Sequence, residues 1–149
     1  MILDTQELFS NNQLITATAI STNVYDTNPV AGPNVLQNIG TNGDIYLEVQ
    51  TNAAFTAGGA ATMTITLESD STADLATSPT VHYSSGPIAL AGLTANTRVL
   101  AVRLPEGSYE RYVGLRYTVA TGPMTAGGLD AFWTTDVIAT RDYASGFKV

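Results

Sequence analysis

The chain has 149 residues, which suits one domain with a hydrophobic core, and it contains no cysteine, so disulfides and thiolate metal sites are excluded. Thirteen acidic residues face six basic ones, and the net charge of −7 disfavours nucleic acids and anionic membranes as partners, because both are bound through Lys and Arg. No stretch approaches the ~20 apolar residues of a membrane span, so we expect no membrane partner.

The chain starts with apolar residues that lie outside any predicted strand. Ile2, Leu3, Leu8 and Phe9 fall within residues 1–12, which we predict to form an extended N-terminal arm. Apolar residues in an arm need a surface that covers them. Two interpretations stay open: the arm folds back on its own domain, or it docks on a neighbouring chain, in which case these four side chains are interface residues.

Alternating apolar and polar residues predict short β-strands along the rest of the chain. In residues 61–70, Met63, Ile65 and Leu67 share one parity and threonines occupy the other, which is typical of a strand with one buried face. Ser71 is predicted to cap one helical turn after this strand. Strands are predicted at residues 14–20, 44–51, 61–70, 80–84, 98–104, 109–120 and 129–137, with breaks at 58–59, 86–87, 122–123 and 127–128.

Seven or eight short strands without a long helical pattern predict an all-β fold, with one domain over residues 1–149. We expect a β-sandwich of about eight antiparallel strands. Among sandwiches, a jelly roll fits the strand count and the wide spacing of some connections. An immunoglobulin-like topology is the alternative, and periodicity alone does not separate the two.

The residues that carry chemistry form no recognisable catalytic or metal-binding pattern. His82 is the only histidine, so a cupin-type metal site lacks its ligands, and no Gly-x-Ser-x-Gly motif accompanies it. The acidic patch Glu68, Asp70 and Asp74 lacks the spacing of a calcium loop. We therefore expect no catalytic residues, no metal and no cofactor.

Two further regions predict contacts rather than chemistry. Arg111 shares parity with apolar strand residues, so its guanidinium needs a carboxylate or carbonyl partner, and Glu106 or an acid on a neighbouring subunit would supply it. We predict Arg111 and the adjacent Tyr112 to be interface residues. The C-terminal tail, residues 141–149, adds the aromatic interface candidates Tyr143 and Phe147.

The order of several strand and turn motifs along nearly the whole chain is also informative. The motifs include MILD at 1–4, QLITATA at 13–19, GDIYL at 43–47, LPEG at 104–107, RYV at 111–113 and TAGG at 125–128. In this order they resemble the bacteriophage capsid cement, or decoration, proteins of the Bordetella-phage type. Residues 142–149 are outside the resemblance.

The resemblance implies a jelly roll that forms a homotrimer on the outer surface of a phage head. Its partner would be the major capsid protein, near local three-fold axes, where it would stabilise contacts between capsid subunits. It implies no catalytic residues and no cofactor. The alternatives are a carbohydrate- or receptor-binding virion module, in which tyrosines 46, 83, 109 and 112 stack on sugars, and a glycosidase with two facing carboxylates.

Overall fold

A computed structural model describes residues 5–28, 30, 36–40 and 43–135. This part of the chain contains no α-helix, and no helix in it is long and apolar enough to cross a membrane. Two 3-10 turns lie at Thr5–Glu7 and Leu90–Gly92. The strands are β1 Leu8–Leu14, β2 Ala19–Ile20, β3 Tyr25–Asp26, β4 Gln37–Ile39, β5 Tyr46–Ala57, β6 Thr62–Asp70, β7 Thr80–Ala89, β8 Arg98–Arg103, β9 Gly107–Tyr109, β10 Tyr112–Ala120 and β11 Met124–Thr134.

Two antiparallel sheets form the body, and the predicted all-β sandwich is confirmed. One sheet has the strand order β1-β11-β5-β8, and the other has the order β2-β10-β6-β7, with β3 also paired to β10. The short strands β4 and β9 pair separately. Along the chain, four of the strand pairs lie one inside another: β1 with β11, β2 with β10, β5 with β8, and innermost β6 with β7, while β11 also pairs with β5 and β10 with β6.

The core lies between the two sheets and follows the predicted alternation. In β6 the side chains of Met63, Ile65 and Leu67 are fully buried, and in β5 the same holds for Leu47 and Val49. Full burial of such a side chain contributes roughly 1.5–3 kcal/mol. The alternating strands therefore supply much of the energy that holds the sheets together.

The predicted N-terminal arm is wrong for residues 8–12, which belong to β1. This strand pairs with β11, and Phe9 is only 2% exposed in the core. Alternation does not reveal β1, because its register shifts between Leu8 and Ser10 and again between Ser10 and Gln13. The strand predicted at 14–20 is also wrong in its middle, where the chain leaves the sheet between β1 and β2.

Two predicted breaks are bulges inside strands. Residues 86–87 lie within β7 and residues 127–128 within β11. Gly127 has φ +133°, and a Cβ at this position would lie 2.3 Å from the ring of Phe55. Glycine here allows the sheet to bend against the aromatic ring, which is why a turn signal occurs in mid-strand.

The loop after β6 is closed by a buried carboxylate, and the predicted helical turn capped by Ser71 is wrong. Asp70 is 0% exposed and accepts hydrogen bonds from the backbone N–H groups of Ser71, Thr77 and Ser78, at 2.6, 2.9 and 3.1 Å. Burial acts to raise the pKa of Asp70, but these bonds outweigh it and the pKa is lowered. The carboxylate therefore takes the place of a helix in organising the loop.

Candidate docking site

The two ends of the described chain meet at one end of the sandwich. The antiparallel pairing of β1 and β11 places Leu8 opposite Phe132. Thr5–Glu7 precedes β1, and Thr135 follows β11. The chain therefore enters and leaves the sandwich at the same end.

An aromatic cluster closes this end around Trp133. The ring of Phe9 meets it edge-on, with centroids 5.0 Å apart, and the ring of Tyr25 is tilted against it at 4.8 Å. Trp133 is 6% exposed, and its Nε1 has no hydrogen-bond partner among the described residues. A buried indole N–H without an acceptor is uncommon in folded proteins.

A half-open cavity of about 300 Å³ lies beside this cluster. Tyr25, Ile39, Ile45 and Trp133 form its apolar wall. Polar side chains, among them Glu7, Gln37, Asn38 and Thr135, also line it. An apolar wall with a few polar groups is typical of a binding site.

Arg111 fixes β3, which carries the cavity residue Tyr25. Its Nε and Nη2 donate to Oδ1 and Oδ2 of Asp26 at 2.9 and 2.8 Å, a two-pronged ion pair. The hydrogen bond from Arg111 lowers the pKa of Asp26. The guanidinium also lies 5.0 Å from the ring centroid of Tyr112. The clamp is thus made within the chain.

The prediction that Arg111 has an acidic or carbonyl partner is confirmed, but Glu106, the residue named for it, is wrong. Glu106 lies 3.7 Å from Arg103 instead, while Asp26 pairs with Arg111. Asp26 was missed because β3 has only two residues, too few for a periodic signal. The requirement of an inward-pointing arginine for a carboxylate or carbonyl was the signal that a partner existed.

Four of the predicted interface residues lie in the described part of the chain, toward the same end of the sandwich. Leu8 and Phe9 start β1, and Phe9 is a core residue rather than a surface contact. Arg111 and Tyr112 lie at the start of β10, beside Asp26. The other four candidates, Ile2, Leu3, Tyr143 and Phe147, lie outside the described residues.

The structure does bring a serine to the single histidine, away from the cavity. Ser69 Oγ lies 2.7 Å from His82 Nε2 and accepts the backbone N–H of Glu110 at 3.0 Å. The His82 ring stacks on Tyr109, with centroids 3.7 Å apart, and burial lowers the pKa of His82. Because Ser69 is fully buried, its hydroxyl is placed to hold β6 and β7 together rather than to meet a substrate.

The acidic patch considered for a cation has structural partners. Glu68 is buried and accepts a hydrogen bond from Arg116 Nε at 2.9 Å, and Arg116 Nη2 also donates to the backbone oxygen of Leu75 at 2.5 Å. Asp70 is occupied by the loop that it closes. Among the residues that the structure describes, no group of three His, Cys, Asp or Glu side chains is placed to hold a metal ion.

Comparison with known proteins assigns the sandwich to a family. No curated protein matches the chain. A family model described as Bbp16 matches residues 9–133, a segment that starts in β1 with Phe9 and ends in β11 with Trp133. The chain therefore belongs to the Bbp16 family, whose name suggests a protein of a Bordetella phage.

Proposed function

We propose that this protein is a capsid cement protein that binds the outer surface of a phage head and stabilises contacts between major capsid proteins. The observation that carries the proposal is the family match, which covers the sandwich from Phe9 to Trp133 and bears a phage name. The motif order noted in the sequence points to the same class of protein. The proposed location is the virion, on the outside of the capsid.

We propose further that the sandwich is a jelly roll. Its hydrogen-bonded pairs nest from β1 with β11, outermost, to β6 with β7, innermost. This is the pattern of one long hairpin rolled into two sheets, and a jelly roll has eight strands in two sheets. The short strands β2 and β3, which both pair with β10, together occupy one of the eight strand positions.

The proposed mechanism is contact through a stiff body. A homotrimer would present the same surface three times around one axis. After one copy binds a capsid subunit, the other two contacts become intramolecular, so weak contacts add up to strong binding. Binding that occurs only on the assembled shell stabilises the shell by mass action. Neither catalysis nor a cofactor is needed.

The end of the sandwich at which the described part of the chain begins and ends is the side proposed to face the shell. It combines the cavity beside Trp133 with the clamp between Arg111 and Asp26. The clamp holds β3 on β10, so the part of the cavity wall that Tyr25 supplies is fixed to the sandwich. A rigid contact surface loses little conformational entropy when it binds.

The carbohydrate-binding alternative gains no support from the geometry. Tyr109, one of the four tyrosines considered for sugar stacking, is fully buried, and its hydroxyl donates to the Pro105 backbone oxygen at 2.7 Å. Its ring is covered by His82. The aromatic residue beside the cavity, Trp133, is too buried to offer a flat face to a sugar ring.

Binding to phage heads that lack this protein tests the proposal. Purified protein is mixed with such heads, which are then pelleted, and the heat stability of the heads is followed by the release of DNA to a dye. We expect saturable binding and a higher release temperature. Sedimentation equilibrium of the free protein is expected to give a trimer. Failure to bind heads would refute the proposed function, and a monomer would refute the trimeric mechanism.

A further inference from the structure

We propose that His82 is part of a proton-sensitive latch, which holds the edge strand β7 to β6 while the imidazole is neutral and releases it when the imidazole is protonated. The latch consists of the His82 ring, the Ser69 hydroxyl and the backbone N–H of Glu110. The inference goes beyond the proposed function, because it concerns the free protein and needs no partner.

The latch lies where the pairing of β6 with β7 is irregular. In the described part of the chain, β7 pairs with β6 alone and forms the edge of its sheet. The register shifts between Leu67 and Glu68, and His82 is the extra residue opposite this step. The side-chain bond between His82 and Ser69 therefore fastens β7 at a point where the backbone ladder is interrupted.

The hydrogen bonds of Ser69 determine which form of His82 fits. Ser69 Oγ accepts the N–H of Glu110 at 3.0 Å and lies 2.7 Å from His82 Nε2. Ser69 is 0% exposed, and no other hydrogen bond joins its hydroxyl to a described residue. The hydroxyl proton is therefore donated to Nε2, which assigns the ring proton of neutral His82 to Nδ1.

Protonated His82 does not fit this network. Nε2 would become a donor, and the Ser69 proton would be left in a buried site without an acceptor, which is unfavourable. Rotation of the ring into water removes this conflict, because His82 is only half-buried and lies on an edge strand. The same movement breaks the side-chain bond between β6 and β7.

The titratable groups around His82 leave the neutral form favoured. The ring stacks on Tyr109, which is neutral because burial raises its pKa to about 12. Burial lowers the pKa of His82, and the nearby Glu110 carboxylate opposes this effect without cancelling it. On β6, the carboxylates of Glu68 and Asp70 are bound to an arginine and to loop N–H groups. The latch is therefore fully formed above pH 6.5 and is lost as the pH falls through the lower, folded pKa of His82.

Because the chain has one histidine, NMR can observe the latch directly. We expect the nitrogen-15 shifts of the ring to show Nε2 unprotonated at pH 8. Ser69→Ala removes the donor to Nε2 and should raise the pKa of His82 by about 0.5 or more, the equivalent of one net hydrogen bond. Ser85→Ala is the matched control, because Ser85 on β7 also accepts a backbone N–H, that of Ile65 at 3.0 Å, but has no bond to His82. It should leave the pKa of His82 unchanged.

Hydrogen exchange measures the release of β7. Protection factors of the Glu110 amide and of the amides of residues 80–84 are compared at pH 8 and pH 5, in the wild type and in His82→Gln. The glutamine oxygen can accept the Ser69 hydroxyl at either pH. We expect the wild type to lose protection several-fold at pH 5, with a limit of about thirtyfold for a released histidine of pKa 6.5, and His82→Gln to keep it. The amides that pair β5 with β8 on the other sheet should keep their protection in both proteins.

Each measurement can overturn the inference. A proton on Nε2 at pH 8 would do so, and so would a pKa of His82 that responds equally to Ser69→Ala and Ser85→Ala. Equal losses of protection in the wild type and His82→Gln would assign the acid effect to carboxylates and would also overturn it. If Ser69→Ala does not fold, the ring shifts and the exchange comparison decide the question, because they need only the wild type and His82→Gln.

Discussion

Replacement of Asp70 by alanine tests whether one buried carboxylate organises the loop between β6 and β7. Three backbone N–H groups, those of Ser71, Thr77 and Ser78, lose their acceptor in this variant. At roughly 1 kcal/mol for each net hydrogen bond, the expected loss of unfolding free energy is about 3 kcal/mol. For a domain of about 150 residues this corresponds to a fall in Tm of roughly 6–12 °C.

The effect depends on pH in a direction that the pKa of Asp70 determines. The pKa is lowered in the folded protein from the ordinary value of 3.8. The stabilisation by the carboxylate is therefore fully present above pH 3.8, and it is lost as the pH falls through the lower, folded value. The difference in stability between the wild type and Asp70→Ala should be constant near neutral pH and should shrink below pH 3.8.

Urea unfolding at pH 7 and at several values below pH 4 provides the measurement. Asp74→Ala is the matched control, because Asp74 lies in the same loop but is exposed, and among the described residues it accepts hydrogen bonds only from the Thr72 hydroxyl, at 2.6 Å, and the Ala76 N–H, at 3.3 Å. We expect this control to lose about 1 kcal/mol or less. Equal losses of unfolding free energy in the two variants would refute the reasoning. So would a difference in unfolding free energy between the wild type and Asp70→Ala that does not become smaller at acidic pH.

Three other substitutions test separate features of the sandwich. Gly127→Ala should lose about 3 kcal/mol in urea unfolding, because its Cβ would lie 2.3 Å from a phenylalanine ring, whereas Gly58→Ala, with open space around it, should be nearly neutral. His82 has a lowered pKa, so the stability of the wild type should fall relative to His82→Gln as the pH drops below 6.5, and parallel pH profiles would contradict this. Arg116→Met leaves the buried Glu68 unpaired and should cost about 3–5 kcal/mol in thermal or urea unfolding, with partial recovery when Glu68→Gln is added.

The long strands could be predicted from the sequence because burial imposes a period of two on them. Strands β6 and β10 lie wholly within the predicted ranges 61–70 and 109–120, whereas the strand predicted at 44–51 covers only the first half of β5, which continues to Ala57. Bulges and very short strands leave no such period. Strands β1 and β3 were therefore not predicted, because the register of β1 shifts and β3 has only two residues. Both strands lie next to the cavity.

The candidate site could be predicted only in part, because its residues come from segments that are distant along the chain. The need of Arg111 for a carboxylate followed from its parity, but the identity of Asp26 depends on the pairing of β3 with β10. Phe9 was recognised as an apolar residue that must be covered, and the cover is Trp133 of its own chain. In a sequence, an apolar residue that is buried within its own domain cannot be told from one that is buried in an interface.

The nesting of the strand pairs explains why alternation in the sequence predicts the core of the sandwich but not the residues around the cavity. Pairing of β1 with β11 brings the two ends of the sandwich-forming chain together, whereas the inner strands of the two sheets, β11 and β5 in one and β10 and β6 in the other, supply most of the buried core. Alternation in the long inner strands determines which side chains form the core. The segments that end at the cavity show no such alternation. The Bbp16 match stops at Trp133, which belongs to both the core and the cavity wall. Under the proposed cement function, the sandwich would supply the rigid body, and the residues around this end would determine which surface it fits.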